Sequence, residues 1–145
     1  GHYFRTYLKI KNGAERANKS LNKLETYKFH DYDWKKGDDV GPLWSGKLFD
    51  RKIVENMKPL GELDVKLLSY WNEEYGFPPF FYDTNTISKF LKTAPPKMSD
   101  IINMIKDRGY NSAGTHFSPT GIKTDASSEV ILDVFKEYDR NTSDG

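Results

Sequence analysis

Cysteine is absent from the sequence, and that absence excludes two classes of small protein. Without cysteine the chain can form neither a disulfide-stapled scaffold nor a zinc or iron–sulfur site held by thiolates. The absence is compatible with a reducing compartment, and we expect a cytoplasmic protein. The sequence also lacks a run of about 18 apolar residues and a charged-then-apolar leader. It therefore predicts neither a transmembrane helix nor a secretory signal.

Recognisable catalytic motifs are absent as well. No G-x-G-x-x-G fingerprint for a dinucleotide occurs anywhere in the chain. The segment Phe-Pro-Pro-Phe at 77–80 resembles the Pro-Pro-aromatic element of amino-methyltransferases, but Phe77 stands where those enzymes place an Asp or Asn that accepts the amine's hydrogen bonds. The histidines lie too far apart in sequence to form a pair with metal-ligand spacing. We therefore predict no catalytic residue and no metal site. The histidines are His2, His30 and His116.

The 145 residues include 14% aromatic side chains, enough to build the core of one ordinary domain or two very small ones. Charge is divided unevenly along the chain. Residues 1–58 hold thirteen Lys and Arg against eight Asp and Glu, and residues 59–145 hold nine against thirteen. A basic first half suits a polyanionic partner, although solvated surfaces often reach this excess. Because the chain lacks an initiating Met and opens in strand-like sequence, we expect a piece of a longer protein.

The first half predicts a small α/β unit. Apolar and polar residues alternate over 3–11, which predicts a half-buried strand. A helical apolar stripe follows over 14–24, and alternation returns over 26–32. The glycine-bracketed segment 41–49 predicts a short strand or tight turn whose glycines allow close backbone approach. We therefore expect a strand–helix–strand unit over 1–50.

Helical periodicity dominates the second half. Asp50 and Asp64 each stand where an N-cap residue would precede an apolar stripe, and a short helix is predicted after Asp83 or Thr84. A strong amphipathic pattern over 98–109 predicts a further helix, and a last helix is predicted to run through Tyr138.

Between the last two helices, residues 110–124 predict two strands joined by a turn at 118–121, Ser-Pro-Thr-Gly. Two helices followed by a β-hairpin are in the order of a winged helix. The sequence therefore predicts an α+β fold. The small unit at 1–50 is followed by a winged-helix-like unit at 51–140 and a frayed tail at 141–145.

Binding candidates are stronger than catalytic ones. One face of the first predicted strand interleaves tyrosines with cations, a pattern that can stack on bases and neutralise phosphates, although a solvated face looks similar. Arg16, Lys19 and Lys23 follow at helical spacing and either extend that patch or face solvent. His116 and Lys123 stand where a winged helix presents its wing, which contacts RNA or packs against another domain. The residues of the strand face are Tyr3, Arg5, Tyr7, Lys9 and Lys11.

Several stretches together resemble a known family. "HYFRTYLKI", "GAERANKSL", "GPLWSGKLFD", "PPFFYD" and "RGYNSAGTHFSPTGIKTDA" occur in the order found in the C-terminal part of the tRNA N2,N2-dimethylguanosine methyltransferases, which methylate guanine 26 of tRNA. The archaeal form is the most similar, and "THFSPTGIKTDA" is the most specific string. The positions that match the family motifs are Gly41, Pro42, Leu43, Trp44, Thr115, His116, Phe117, Ser118, Pro119, Thr120, Gly121, Ile122, Lys123, Thr124 and Asp125. Trp44, between two glycines, is most simply interpreted as a packing anchor.

The resemblance implies a two-domain enzyme whose Rossmann-like N-terminal domain binds S-adenosylmethionine and holds the catalytic Asp in a D-P-P-F-like motif. None of those motifs occurs here, so we expect no cofactor in this chain and S-adenosylmethionine in the missing domain. The implied partners are tRNA and the methyltransferase domain of the same enzyme, with no membrane. Many relatives carry cysteines where residues 29–37 have none, so no zinc-like element is expected. The alternative is a winged-helix module that binds protein or DNA without an enzymatic role.

Overall fold

The computed structural model of the chain describes residue 10 and residues 12–143. These residues form six helices and two three-stranded antiparallel sheets, which confirms the predicted α+β class. Of the strand predicted over 3–11, only Ile10 is among the described residues; it lies in no strand and is 88% exposed. The elements are α1 (Ala14–Leu21), β1 (Leu24–His30), β2 (Asp33–Lys36), β3 (Val40–Trp44), α2 (Arg51–Asn56), α3 (Glu62–Glu73), β4 (Tyr82–Asp83), α4 (Thr84–Leu91), α5 (Met98–Asp107), β5 (Ser112–Thr115), β6 (Ser118–Thr124) and α6 (Ser128–Ser143).

The first sheet has the order β2-β1-β3, with β1 in the centre. Phe29 of β1 lies opposite Trp34 of β2, and the two-residue period of a strand puts Tyr27 on the same face. Tyr27 is buried there. Gly41 of β3 has φ +144°, and a Cβ on it would lie 3.0 Å from the Cα of Thr26 in β1. The close backbone approach predicted for this segment is therefore confirmed.

Helix α1 forms where the periodicity predicts a helix, but none of its residues is buried. Its short apolar stripe therefore packs against nothing in the described part of the chain, and the whole helix displays its side chains to solvent.

The second sheet has the order β4-β6-β5. Strands β5 and β6 form the expected hairpin, but the turn lies at His116 and Phe117, so the turn predicted at 118–121 is wrong. Residues 118–121 are of types that favour turns. They nevertheless belong to β6, because Gly121 pairs with Asp83 of β4. Pro119 is tolerated there because the β5–β6 register shifts next to Thr115, which leaves room for a residue without an N–H.

The predicted N-cap at Asp50 is confirmed, and so is the short helix predicted after Asp83 or Thr84. Asp50 accepts a hydrogen bond from the N–H of Lys52 at 3.0 Å at the start of α2, and Asp83 begins α4 in the same way. The predicted cap at Asp64 is wrong, since α3 begins after Gly61. Asp64 instead lies in the first turn, and its carboxylate accepts from the N–H of Leu60 at 3.0 Å.

The core lies in the second half, where α4, α5 and α6 pack on one face of the second sheet. The last helix continues through Ser143, so residues 141–143 of the predicted tail are helical. The hydroxyl of Thr142 donates to the carbonyl of Tyr138 at 3.0 Å within that last turn. The buried core residues are Ile87, Ile101, Ile105, Ile122, Ala126, Ile131, Val134 and Phe135.

Aromatic contacts join the first sheet to the rest of the domain. Tyr27 meets Phe80 edge to face with 4.4 Å between ring centroids, and Trp34 stacks on the same ring at 5.4 Å. Tyr32 contacts Phe90 of α4 at 4.8 Å. Of the helices in the described ranges, none has the length and apolar character needed to cross a membrane.

Candidate nucleic-acid interface

A buried ionic cluster anchors the hairpin turn. The carboxylate of Glu74, 2% exposed at the end of α3, accepts from the backbone N–H of His116 at 2.5 Å and lies 2.7 Å from His116 Nδ1. The ammonium of Lys123 lies 3.2 Å from the other carboxylate oxygen and is 1% exposed. The turn and strand β6 are therefore tied to the end of α3.

The charges of this cluster stabilise each other. Burial alone raises the pKa of Glu74, but the two contacts with His116 and the charge of Lys123 outweigh it and hold that pKa below its usual range. Burial lowers the pKa of Lys123, and the ion pair with Glu74 opposes that shift. The Lys123 side chain therefore points into the domain and presents no cation at the surface, as an RNA contact by this residue would require.

The turn itself is partly exposed. Phe117 is 55% exposed at its tip, and its ring lies parallel to that of Phe81 with 6.2 Å between centroids. The imidazole of His116 contacts the rings of Trp71 and Phe49. Both turn residues thus pack within the domain, and the Phe117 ring is more exposed than the His116 imidazole.

Two further carboxylates, Asp83 and Asp125, accept hydrogen bonds in or beside the motif string. Asp83 accepts from the Thr120 hydroxyl at 2.6 Å and from the N–H of Thr86 at 2.8 Å. Burial raises the pKa of Asp83, but these bonds outweigh it, so the pKa lies below its usual range. Asp125 accepts from the N–H and the side-chain amide of Asn111 at 2.8 and 2.7 Å. The Thr120 hydroxyl and the Asp125 carboxylate of this string are therefore used in bonds within the domain.

A different surface brings cations and aromatic rings together. The ammonium of Lys23 lies 5.6 Å from the ring centroid of Trp44, whose indole N–H donates to the carbonyl of Lys47 at 3.1 Å. The ammonium of Lys47 lies 4.9 Å from the centroid of Tyr75, and the guanidinium of Arg51 lies 5.4 Å from it. We call these five residues the cation–aromatic surface. Trp44 is 39% exposed, so the packing expected of this residue leaves part of its indole accessible.

The sequence-predicted residues are only partly brought together. Arg16 and Lys19 are exposed on α1, where Lys19 pairs with Glu15 at 2.8 Å. The strand-face residues Tyr3, Arg5, Tyr7, Lys9 and Lys11 lie outside the described residues. Of the matched motif positions, 41–44 lie in β3, 115 ends β5, 116–117 form the turn, 118–124 form β6 and 125 follows it. The described residues contain no group of three potential metal ligands.

No sequence pattern identifies Lys47, Arg51 or Tyr75 as members of one surface. Lys47 and Tyr75 are 28 residues apart in sequence, so no periodic pattern signals their contact.

The comparisons with known proteins agree on one family over most of the chain. The sequence profile of the family described as N2,N2-dimethylguanosine tRNA methyltransferase matches residues 1–136. The tRNA (guanine(26)-N(2))-dimethyltransferase of Pyrococcus horikoshii is 37% identical over 93% of the chain, and that of Methanocaldococcus jannaschii is 34% identical over 92%. The chain spans 40% of the length of each of these relatives.

A solved structure is also similar. It is a complex of Trm1 from Pyrococcus horikoshii with S-adenosyl-L-methionine, and it superposes with a TM-score of 0.73 at 34% sequence identity. The match covers 86% of this chain and 38% of that one.

Proposed function

Because the chain belongs to the N2,N2-dimethylguanosine tRNA methyltransferase family, we propose that it is the tRNA-engaging C-terminal domain of a tRNA (guanine-26) N2,N2-dimethyltransferase. One observation supports the binding of tRNA by this chain: every Lys and Arg between residues 12 and 58 is exposed. A surface that displays its cations attracts a polyanion, and phosphate contacts supply most of the affinity for nucleic acid.

The methyl donor, S-adenosylmethionine, and the catalytic groups belong in this proposal to the part of the enzyme outside this chain. The chain has no glycine-rich cofactor loop. A cavity of about 540 Å³ lies beside Tyr75 and Asn111, but both of its carboxylates are already bonded: Asp125 accepts from Asn111, and Glu73 accepts from the Ser69 hydroxyl. These residues do not fit a site for the cofactor's ribose and amino groups.

The proposed domain division follows the element order. Residues 1–50 make the small unit, and residues 51–140 make the winged-helix-like unit. Helices α4 and α5 followed by the β5–β6 hairpin support the second assignment, with the turn at His116 and Phe117 in the place of the wing. The methyltransferase domain of the same enzyme is the proposed second partner.

Within this function, we propose that the strand face formed by Tyr3, Arg5, Tyr7, Lys9 and Lys11 contacts the tRNA backbone. The test is filter binding of unmodified tRNA by the full-length enzyme at several salt concentrations. Arg5→Ala with Lys9→Ala should weaken binding and lower the salt slope by about two, since each phosphate contact on a duplex contributes nearly one unit.

Tyr7→Ala should in addition weaken binding roughly 5- to 150-fold if its ring stacks on a base. An unchanged slope in the double variant would reject the strand face as the tRNA contact. Equal affinity for a DNA duplex of the same length would reject a tRNA-specific role and favour the DNA-binding alternative.

A further inference from the structure

The cation–aromatic surface is assembled from five separate places in the chain. Lys23 precedes β1, Trp44 ends β3, Lys47 lies in the following loop, Arg51 begins α2, and Tyr75 follows α3. Their contacts connect through the two rings, because the Trp44 indole bonds to the backbone of Lys47 and the side chain of Lys47 reaches Tyr75. The fold therefore concentrates three cationic heads around two aromatic rings.

The two lysines of this surface keep their positive charge available. Among the described residues, no carboxylate lies within 4.0 Å of the ammonium of Lys23 or Lys47; Lys47 instead donates to the Tyr75 hydroxyl at 3.2 Å. Arg51 is partly neutralised, because its guanidinium pairs with Glu55 at 2.7 Å. A cation held against an aromatic ring is positioned without loss of its charge.

The indole of Trp44 is both held and accessible. A Cβ on Gly46 would lie 2.6 Å from a carbon of the indole, so only glycine lets the backbone approach the ring this closely. The same Cβ would lie 2.8 Å from the stem of Lys23, which therefore packs against that backbone too. Trp44 is nevertheless 39% exposed, which leaves aromatic surface for a ligand.

We propose that the cation–aromatic surface binds an unpaired segment of the tRNA, with Trp44 stacking on a base while Lys23 and Lys47 contact neighbouring phosphates. The proposal rests on the proposed function, since it specifies where this chain engages tRNA. Proteins that bind single-stranded nucleic acid combine these two features, aromatic rings for the bases and a row of cations for the backbone. Surface cations that pair with carboxylates do not form such a row, because the carboxylates already neutralise their charge.

The first experiment measures the salt dependence of tRNA binding by the full-length enzyme. Lys23→Ala with Lys47→Ala should lower the salt slope by about 1.4, because each phosphate contact on a single strand contributes about 0.7. Unmodified tRNA is the probe, and filter binding at several salt concentrations is the measurement.

The matched control removes two other lysines from the same half of the chain. Lys28 pairs with Asp39 at 3.4 Å and Lys36 pairs with Glu25 at 2.6 Å. Lys28→Ala with Lys36→Ala changes the net charge by the same amount, and we expect its salt slope to stay close to that of the wild type. Equal decreases of the salt slope in the two double variants would overturn the proposal, because they would indicate that only the overall charge attracts the tRNA.

The second experiment tests the stacking ring. Trp44→Leu should weaken tRNA binding roughly 5- to 150-fold, the range that corresponds to base stacking, whereas Trp44→Phe should retain most of the affinity. The melting temperature of each variant is measured alongside. A loss of affinity that Phe does not rescue, or that follows the loss of thermal stability, would overturn a stacking role.

The two proposals fail in different ways. An unchanged slope in the Lys23 and Lys47 variant, with a lowered slope in the Arg5 and Lys9 variant, overturns the cation–aromatic surface and leaves the tRNA-engaging function in place. Unchanged slopes in both variants overturn both proposals. A Lys23 and Lys47 variant with normal tRNA binding and a lower melting temperature of the full-length enzyme would assign the surface to domain packing and overturn the RNA site.

Discussion

Lys123 and Glu74 form a buried ion pair whose partners depend on each other. Replacing Lys123 by Met keeps most of the side-chain volume but removes the cation beside Oε2 of Glu74, which is 2% exposed and keeps only its contacts with His116. We expect Lys123→Met to reduce the free energy of unfolding by about 3–5 kcal/mol. Urea denaturation followed by tryptophan fluorescence measures it, since Trp71 contacts the same cluster.

The control for this prediction is an exposed pair. Lys136 lies 4.0 Å from Asp133 with 54% of its side chain exposed, and Lys136→Ala should change the free energy of unfolding by less than about 0.5 kcal/mol. Glu74→Gln added to Lys123→Met should recover part of the loss, because the buried charge disappears. A Lys123→Met variant as stable as the wild type would contradict the buried pair.

The same carboxylate predicts acid sensitivity. Because the pKa of Glu74 is lower in the folded chain than its usual value, ionised Glu74 stabilises the fold fully above the usual carboxyl pKa of about 4.3. That contribution is lost as the pH falls through the lowered pKa. The difference in free energy of unfolding between the wild type and Glu74→Gln should therefore shrink between pH 6 and roughly pH 3. A difference independent of pH would show that Glu74 does not titrate below its usual range.

At the scale of elements, two aspartates cap helices in different surroundings. Asp50 caps α2 with one hydrogen bond, from the N–H of Lys52, whereas Asp83 caps α4 and also accepts from the Thr120 hydroxyl of β6. Loss of a cap alone costs about 1 kcal/mol. We expect Asp50→Ala to lose about that amount and Asp83→Ala to lose about 2–3 kcal/mol, because a hydroxyl bond to a charged group is lost as well.

Chemical denaturation of the two variants in parallel checks this order. Asp83→Asn should lie between the wild type and Asp83→Ala, because an amide oxygen still caps a helix but carries no charge. Equal losses in the two alanine variants would mean that the link from α4 to β6 contributes nothing to stability.

At the scale of the whole molecule, the chain spans 40% of the length of its Pyrococcus horikoshii relative, and we propose that the chemistry lies outside it. The isolated chain should therefore neither bind S-adenosylmethionine nor methylate tRNA. Isothermal titration calorimetry with the cofactor is the measurement, and the full-length enzyme is the positive control. Micromolar binding by the isolated chain would place a cofactor site within these residues.

Much of the fold was predictable because the signals are local. The period of β1, the amphipathic pattern of α5 and the caps at Asp50 and Asp83 all depend on residues a few positions apart. The turn of the hairpin was not predictable in the same way. Its Ser-Pro-Thr-Gly segment has turn chemistry, and pairing with β4 overrides that local preference.

The sequence by itself determined the α+β class, most of the helices and, through the string "THFSPTGIKTDA", the family resemblance that the comparisons confirm. Only the tertiary structure decided which charges face the surface. Lys123 looked like an exposed hairpin lysine and is buried against Glu74, while Lys47 meets Tyr75 from 28 residues away. The physical reason is that the burial and pairing of a charge depend on contacts between elements distant in sequence, and local periodicity carries no information about those contacts.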